Sequence, residues 1–374
     1  MPLALFALAI GAFGIGMTEF VVAGILPQIA RDFGVDIPTS GLMATTYALG
    51  VFVGAPILTI LGAKVPRKTM LISLALIFTL GNMITAVAPT LPIALAGRIL
   101  TAFNHGTFFG MGSIIAASLV AKDRQASAIA FMFSGLTMAN LFGVPAGTWL
   151  AQAYSWRLVF WLIAGIGLIT VISIALLVPP IKAGKAIALK SELRAFADPQ
   201  VLLAMGITVF GPAAFFTSIT YIAPMMVEEA GFSDTGVAKL MVLFGLGLAV
   251  GNWIGGRFAD RSLFGTLFVT LAAQAAVLFV FWLGVGNSVV ASASVFLMAA
   301  FGFATVSPIQ KRVNIGMFNL GNAIGAWVGG ATIAAGFGLA SPNWAGAILS
   351  LIALGLAVIA WASAGQQYSA AVAE

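Results

Sequence analysis

The chain has 374 residues, 61% hydrophobic and 7% charged, against the roughly 25% charged residues of ordinary soluble domains, which excludes a soluble globule and makes it a polytopic membrane protein. The absence of cysteine excludes disulfides, thiolate metal sites and cysteine nucleophiles, and one histidine leaves little with which to hold a metal ion. A net charge of +6 would point a soluble protein toward nucleic acid, but here the basic residues lie in short loops beside apolar segments, so they report topology and no nucleic-acid partner is expected.

Twelve apolar stretches match the length of about 20 residues that crosses roughly 30 Å of hydrocarbon as helix, and their frequent glycine and proline argue against coiled coil. They lie near residues 3–28, 39–61, 69–88, 91–118, 126–151, 157–178, 200–227, 235–258, 262–285, 288–310, 314–337 and 342–363. The first has no basic leading region and is too long for a signal-peptide core, so it reads as a retained span. The fold expected is an all-α polytopic membrane protein of 12 transmembrane helices. Its one substantial polar connection divides it into a six-helix bundle over 1–178, a cytoplasmic linker over 179–199 and a second six-helix bundle over 200–374.

Span one holds Glu19, the one residue among 11 acidic ones that sits deep in a long apolar segment. A charge at that depth costs at least about 2.5–3.5 kcal/mol, and such groups face a cavity, find a partner or carry protons. Span four holds Arg98, Asn104 and His105. Counted from the outer helix ends at about 1.5 Å per residue, Glu19 lies roughly 12 Å deep and Arg98 roughly 10 Å, so the two are level. His105 follows Arg98 by two helical turns and lies on the same face, further in. An adjacent guanidinium favours the ionised carboxylate and burial favours the neutral one, so a residue balanced between them can exchange a proton. Two readings stay open: Glu19 as proton acceptor with Arg98 tuning it and His105 assisting, or a permanent Glu19–Arg98 pair that holds two helices together.

Small residues spaced by four recur as Gly50 and Gly54, as Gly135, Ala139, Gly143 and Gly147, as Gly247, Gly251 and Gly255, and as Gly321, Gly325 and Gly329. That spacing keeps them on one helix face, where membrane helices can approach closely. They fall in spans two, five, eight and eleven, and recurrence at every third span implies a repeated three-helix unit. Glycine is common in membrane helices, but that alone would not place it every third span.

Of the 17 Lys and Arg residues, 13 fall in alternate connections: Lys64, Arg67 and Lys68; Lys122 and Arg124; Lys182, Lys185, Lys190 and Arg194; Arg257 and Arg261; Lys311 and Arg312. Those loops should be cytoplasmic, as should both termini. The opposite loops carry Arg31, Arg157 and Lys239 beside Asp32, Asp36, Glu228, Glu229 and Asp234.

Two motifs carry a family resemblance. Gly143-Val144-Pro145-Ala146-Gly147 resembles the antiporter signature of drug-efflux members of the major facilitator superfamily, whose nested three-helix repeats agree with the glycine pattern. Gly256-Arg257-Phe258-Ala259-Asp260-Arg261 resembles that superfamily's loop motif. The first-half equivalent, from Gly62 to Lys68, has Ala63 at the acidic position and Pro66 at the second glycine, so only its basic end, Lys64, Arg67 and Lys68, survives. Gly16-Met17-Thr18-Glu19-Phe20 with Leu26 to Gly34, Phe103-Asn104-His105-Gly106, Tyr154-Ser155-Trp156-Arg157 and Asn314 to Asn322 are similar to the arabinose and sugar efflux branch, also described as sugar or chloramphenicol exporters. Members of that branch carry an additional Ala/Ser-rich stretch where Val313 and Asn314 are adjacent here, leaving little chain to reverse direction between spans ten and eleven.

The resemblance covers nearly the whole chain. It implies a central cavity lined by spans one, four, seven and ten, with Glu19, Arg98 and His105 bordering the substrate path. Asn104 and Phe108, with Phe215, Phe216, Thr220 and Tyr221 on span seven, would line the substrate cavity, although most of those phenylalanines would serve in any tightly packed span. Gly143, Pro145 and Gly147, the basic loop residues, and Gly256, Asp260 and Arg261 would act in gating. It implies a monomer in a bacterial-type inner membrane, driven by the proton gradient with no cofactor, that exports a small molecule, sugar or amphipathic drug. Uptake symport is the alternative, and a non-transport receptor or channel a remote one. A membrane enzyme is disfavoured because the spans offer one acid and one histidine, and ATP-driven transport because no Gly-x-x-x-x-Gly-Lys-Ser/Thr loop occurs.

Overall fold

A computed structural model describes residues 2–181, 198–306 and 315–373, with the backbone alone at 315–316 and 364–373. Most of the expected linker, with Lys182, Lys185, Lys190 and Arg194, lies outside the described residues, as do Lys311, Arg312 and the junction of Val313 with Asn314.

Every regular element among the described residues is helical. Helix α1 spans Leu3–Phe33 and ends on Gly34, whose φ of 64° is the left-handed turn that suits glycine. One helical turn, Ile37–Ser40, capped by the Asp36 carboxylate on the Thr39 amide, leads into α2 at Leu42–Gly62. Then come α3 at Arg67–Val87, α4 at Leu91–Ser118, α5 in three parts over Gln125–Met138, Ala139–Gly143 and Val144–Ala153, and α6 at Trp156–Leu177. The second half contains α7 at Pro199–Ile219, extended by Ile222–Glu228, α8 at Asp234–Ala259, α9 at Leu263–Gly284, α10 at Ser288–Ala304, α11 at Ile315–Thr332, extended by Ile333–Phe337, and α12 at Ser341–Ala373.

Ten helical stretches among the described residues are long and apolar enough to cross a membrane. The two expected spans outside that set are α4, which carries Arg98, Asn104 and His105, and α10, an apolar helix of 17 residues. The expected tenth span ran on to 310, and 307–310 lie outside the described residues. The middle part of α5, Ala139–Gly143, is a π-helical turn immediately before Pro145. Pro145 has no N–H for the carbonyl one turn back, and a widened turn relieves the clash.

The chain packs as two compact units, one of Met1–Ile187 with Ser233–Gly245 and the other of Ala188–Phe232 with Leu246–Glu374. Within the first, the small-residue faces are helix contacts. A Cβ on Gly50 or Gly54 would lie 2.7 Å from Ala102 Cβ or 2.5 Å from the Phe103 ring on α4. One on Gly135 would lie 2.0 Å from the Ala9 carbonyl oxygen on α1, and one on Gly147 2.9 Å from Val21 of the same helix. Gly245 of α8 meets the π turn, where a Cβ would come within 2.4 Å of the Asn140 carbonyl oxygen.

The second unit repeats the device with a register of four. Cβ atoms on Gly247, Gly251 and Gly255 would meet the carbonyl oxygens of Phe296, Ala300 and Ala304 on α10 at 2.4, 2.0 and 2.3 Å, and those on Gly321, Gly325 and Gly329 the oxygens of Val209, Ala213 and Thr217 on α7 at 2.2, 2.3 and 2.5 Å. Pairings α2–α4 and α5–α1 are thus echoed by α8–α10 and α11–α7, the recurrence expected of a repeated three-helix unit. Gly251→Ala should lower the melting temperature in detergent, because backbone on α10 cannot retreat from the new methyl and overpacking costs about 1–3 kcal/mol. Gly165→Ala should be neutral or stabilising by up to about 1 kcal/mol, since nothing lies within 4 Å of its Cβ position. Equal melting temperatures for the two variants would contradict close packing at Gly251.

Polar clips close both ends of the first unit. At one end Arg157 bonds the Asp32 carboxylate and the Ala88 carbonyl, the latter at 2.8 Å, and lies 4.4 Å over the Trp156 ring. The indole N–H of Trp156 also donates to Asp32 at 3.2 Å. At the other, the Lys68 ammonium donates to the Ala175 carbonyl at 2.7 Å and the Arg67 amide to the Ile181 carbonyl at 3.0 Å. A cation on the last carbonyls of α6 complements its dipole, so the surviving basic end of the first-half loop ties α3 to α6.

Candidate functional site

Arg98 organises the interior of the first unit. It is fully buried on α4, and its planar guanidinium reaches three neighbouring helices. Its Nε donates to the Met43 carbonyl on α2 at 3.1 Å, and one terminal nitrogen donates to the Thr18 carbonyl at 2.8 Å and the Thr18 hydroxyl at 3.0 Å on α1. The guanidinium lies 4.2 Å from the centroid of the Tyr47 ring on α2 and 5.9 Å from that of Phe160 on α6. Thr18 passes the network on, donating its hydroxyl proton to Asn82 Oδ1 on α3 at 2.9 Å, and Asn82 is anchored by donating to the Phe78 carbonyl at 2.8 Å. Charge-assisted bonds to carbonyls and a desolvated cation–π contact let a cation rest at this depth without an ion-pair partner.

Glu19 is the next residue along α1 from Thr18 and is only partly buried. It lies within electrostatic reach of Arg98, yet among the described residues neither of the ion pairs involves it and no hydrogen bond is made to its carboxylate. Arg98 is therefore committed to backbone and hydroxyl oxygens, and the second terminal nitrogen of its guanidinium has no partner. The fixed ion pair left open by the sequence is absent from this arrangement.

His105 sits on the face that the spacing of seven predicts, and Tyr47 shows it: the same phenol that Arg98 covers meets His105 Nδ1 through its hydroxyl at 3.0 Å. The imidazole also packs edge-on against Phe109, centroids 5.3 Å apart. Asn104 is buried with its side-chain oxygen unpartnered. Phe108 is buried with its ring end in the space left by Gly11, where a Cβ would lie 2.3 Å away.

In the second unit Phe215, Phe216, Thr220 and Tyr221 are all buried on or just beyond α7. Both hydroxyls bond to backbone, Thr220 to Phe216 at 2.6 Å and Tyr221 to Ala326 at 2.8 Å. The two phenylalanines join an aromatic group across helices: Phe215 to Phe216 at 5.2 Å, Phe215 to Phe303 at 5.9 Å and Phe216 to Phe318 at 6.5 Å between centroids. In the Gly256 to Arg261 motif, Asp260 and Arg261 are exposed just past the end of α8, the Asp260 amide bonding back to Gly256.

Tyr47 and Asn82 escaped the reading of the sequence, and Thr18 entered it only as part of a motif, with no role of its own. Threonine and tyrosine are ordinary in apolar spans and carry no charge penalty to draw notice. Asn82, a lone amide in a span otherwise apolar around it, was the legible signal.

The model of the Major Facilitator Superfamily matches residues 8–311. The chain is 45% identical over 364 residues, 94% of each sequence, to "Inner membrane transport protein YdhP" of Escherichia coli (strain K12). It is 32% identical to "Chloramphenicol resistance protein" of Streptomyces lividans, over 95% of each. Among solved structures, a bacterial homolog of the human lysosomal transporter Spinster superposes with a TM-score of 0.73 over 96% of each chain at 16% identity, which establishes a shared fold. This chain is therefore a multi-pass membrane transporter of the Major Facilitator Superfamily.

Proposed function

We propose that the protein is a proton-coupled exporter of a small molecule, a sugar or an amphipathic drug, with Glu19 as the proton site. The observation that carries this reading is the pairing state of Glu19: a partly buried acid with no ion pair or hydrogen bond among the described residues, within electrostatic reach of an arginine whose bonds lie elsewhere. An acid held in this way can gain or lose a proton without breaking a structural contact. His105, bonded through Tyr47 to the ring that Arg98 covers, is the adjacent relay or polar substrate contact.

Export is favoured by the resemblance of the Gly143–Pro145–Gly147 segment to an antiporter signature, and by similarity to a relative named for chloramphenicol resistance. Similarity to an inner membrane transport protein supports an inner-membrane location, and the loop charges support cytoplasmic termini. The working molecule is a monomer of two six-helix bundles. Chloramphenicol should accumulate in inverted membrane vesicles with an acidic lumen and not in right-side-out vesicles energised by the opposite gradient. Accumulation in the right-side-out preparation would overturn export in favour of uptake.

A further inference from the structure

Gln274 lies on α9, 1% exposed, and neither its side-chain oxygen nor its nitrogen has a hydrogen-bond partner. A buried primary amide brings two donors and an acceptor, and in a membrane interior no bulk water is available to meet them. Leaving both ends unmet destabilises the fold, and a buried amide of this kind is retained where a ligand or an ordered water meets it. The neighbouring backbone shows where. Gly302 on α10 is the meeting point of Gln274 and the aromatic group: its Cβ would lie 2.8 Å from the Phe215 ring and 3.4 Å from Gln274 Oε1. Phe303, one residue on and partly exposed, stacks edge-on with Phe215, and the partly exposed Phe318 with Phe216. Among the described residues of the second unit the charged side chains, Asp198, Glu228, Glu229, Arg257, Asp260 and Arg261, all lie exposed at helix ends.

We propose that Gln274 is the hydrogen-bonding anchor of an aromatic substrate site in the second unit, one that recognises an uncharged molecule bearing an apolar or aromatic body with hydroxyl or amide groups. The proposal rests on the transport reading above and narrows its substrate class. The aromatic faces supply the apolar contact, and displacement of the Phe215 edge from Gly302 opens the amide to the ligand. A neutral amide both donates and accepts, which suits a hydroxyl or amide and offers nothing to hold a cation.

The test uses the purified full-length protein and three probes: chloramphenicol, 4-nitrophenyl β-glucoside and the aromatic cation ethidium. Wild type should bind at least one neutral probe saturably and ethidium more weakly. Gln274→Met should weaken neutral binding by about tenfold or more, the loss of one or more hydrogen bonds, while raising the melting temperature because the unmet amide is gone. Gln274→Asn, which keeps the amide on a shorter arm, should fall between. Neutral binding unchanged in Gln274→Met, preference for ethidium, no neutral binding in wild type, or a Gln274→Met protein that fails to fold would each overturn the proposal. Proton uptake or release on probe addition is recorded in the same samples, so a failure of Glu19 coupling is read separately from a failure of recognition.

Discussion

Arg98→Lys should yield a transporter that is hard to purify folded, with a melting temperature lowered well beyond that of surface substitutions. The guanidinium donates to Met43 and twice to Thr18 and covers Tyr47 at 4.2 Å. A lysine ammonium is a compact point charge that cannot reproduce the fork or lie flat on the ring. Losing one charge-assisted bond costs about 1.5–3 kcal/mol and losing the desolvated stack about 2 kcal/mol, so the variant should lose about 3.5–5 kcal/mol. That is a large share of the roughly 5–15 kcal/mol by which small proteins are stable. The effect should spread beyond α4, because Thr18 hands the network to Asn82. Thermal unfolding in detergent measures it; a melting temperature within a degree of wild type would show that the network is dispensable.

The architecture was legible where charge or glycine broke a rule that apolar helices otherwise obey. A carboxylate in span one and a guanidinium in span four are costly enough to draw notice, and helical spacing placed His105 beneath Arg98, where Tyr47 now joins them. The four-residue glycine rows foretold close contacts, and backbone carbonyl oxygens stand opposite Gly135 and the rows of spans eight and eleven. Partner identity was not legible. Counting depth puts Glu19 and Arg98 level but gives no rotation about either helix, and Arg98 turned to carbonyls, which every residue supplies and no sequence pattern marks. The π turn before Pro145 escaped for a related reason, since a proline announces disturbance without stating the form it takes. Gln274 passed unremarked because an amide in a span is costly only when left unpaired, and pairing is a property of the fold.

Glu19→Gln should have the opposite profile to Arg98→Lys: a folded protein with near-normal stability and no gradient-driven transport. Glutamine keeps the size and one acceptor oxygen, and among the described residues no ion pair or hydrogen bond is made at the native carboxylate for it to break. What it removes is the ability to bind and release a proton. Under the proposed reading substrate exchange should persist, because the substitution breaks no ion pair or hydrogen bond of Glu19 among the described residues. Uphill accumulation should fall to the level of empty liposomes, while exchange of labelled for unlabelled substrate continues.

The most direct measurement is therefore made on one preparation of Glu19→Gln proteoliposomes, comparing accumulation driven by an imposed pH gradient with substrate counterflow at equal pH. If Glu19 is the proton site, counterflow proceeds at a rate comparable to wild type and gradient-driven accumulation is lost. Gradient-driven accumulation at the wild-type rate would contradict the assignment and move proton coupling to another residue.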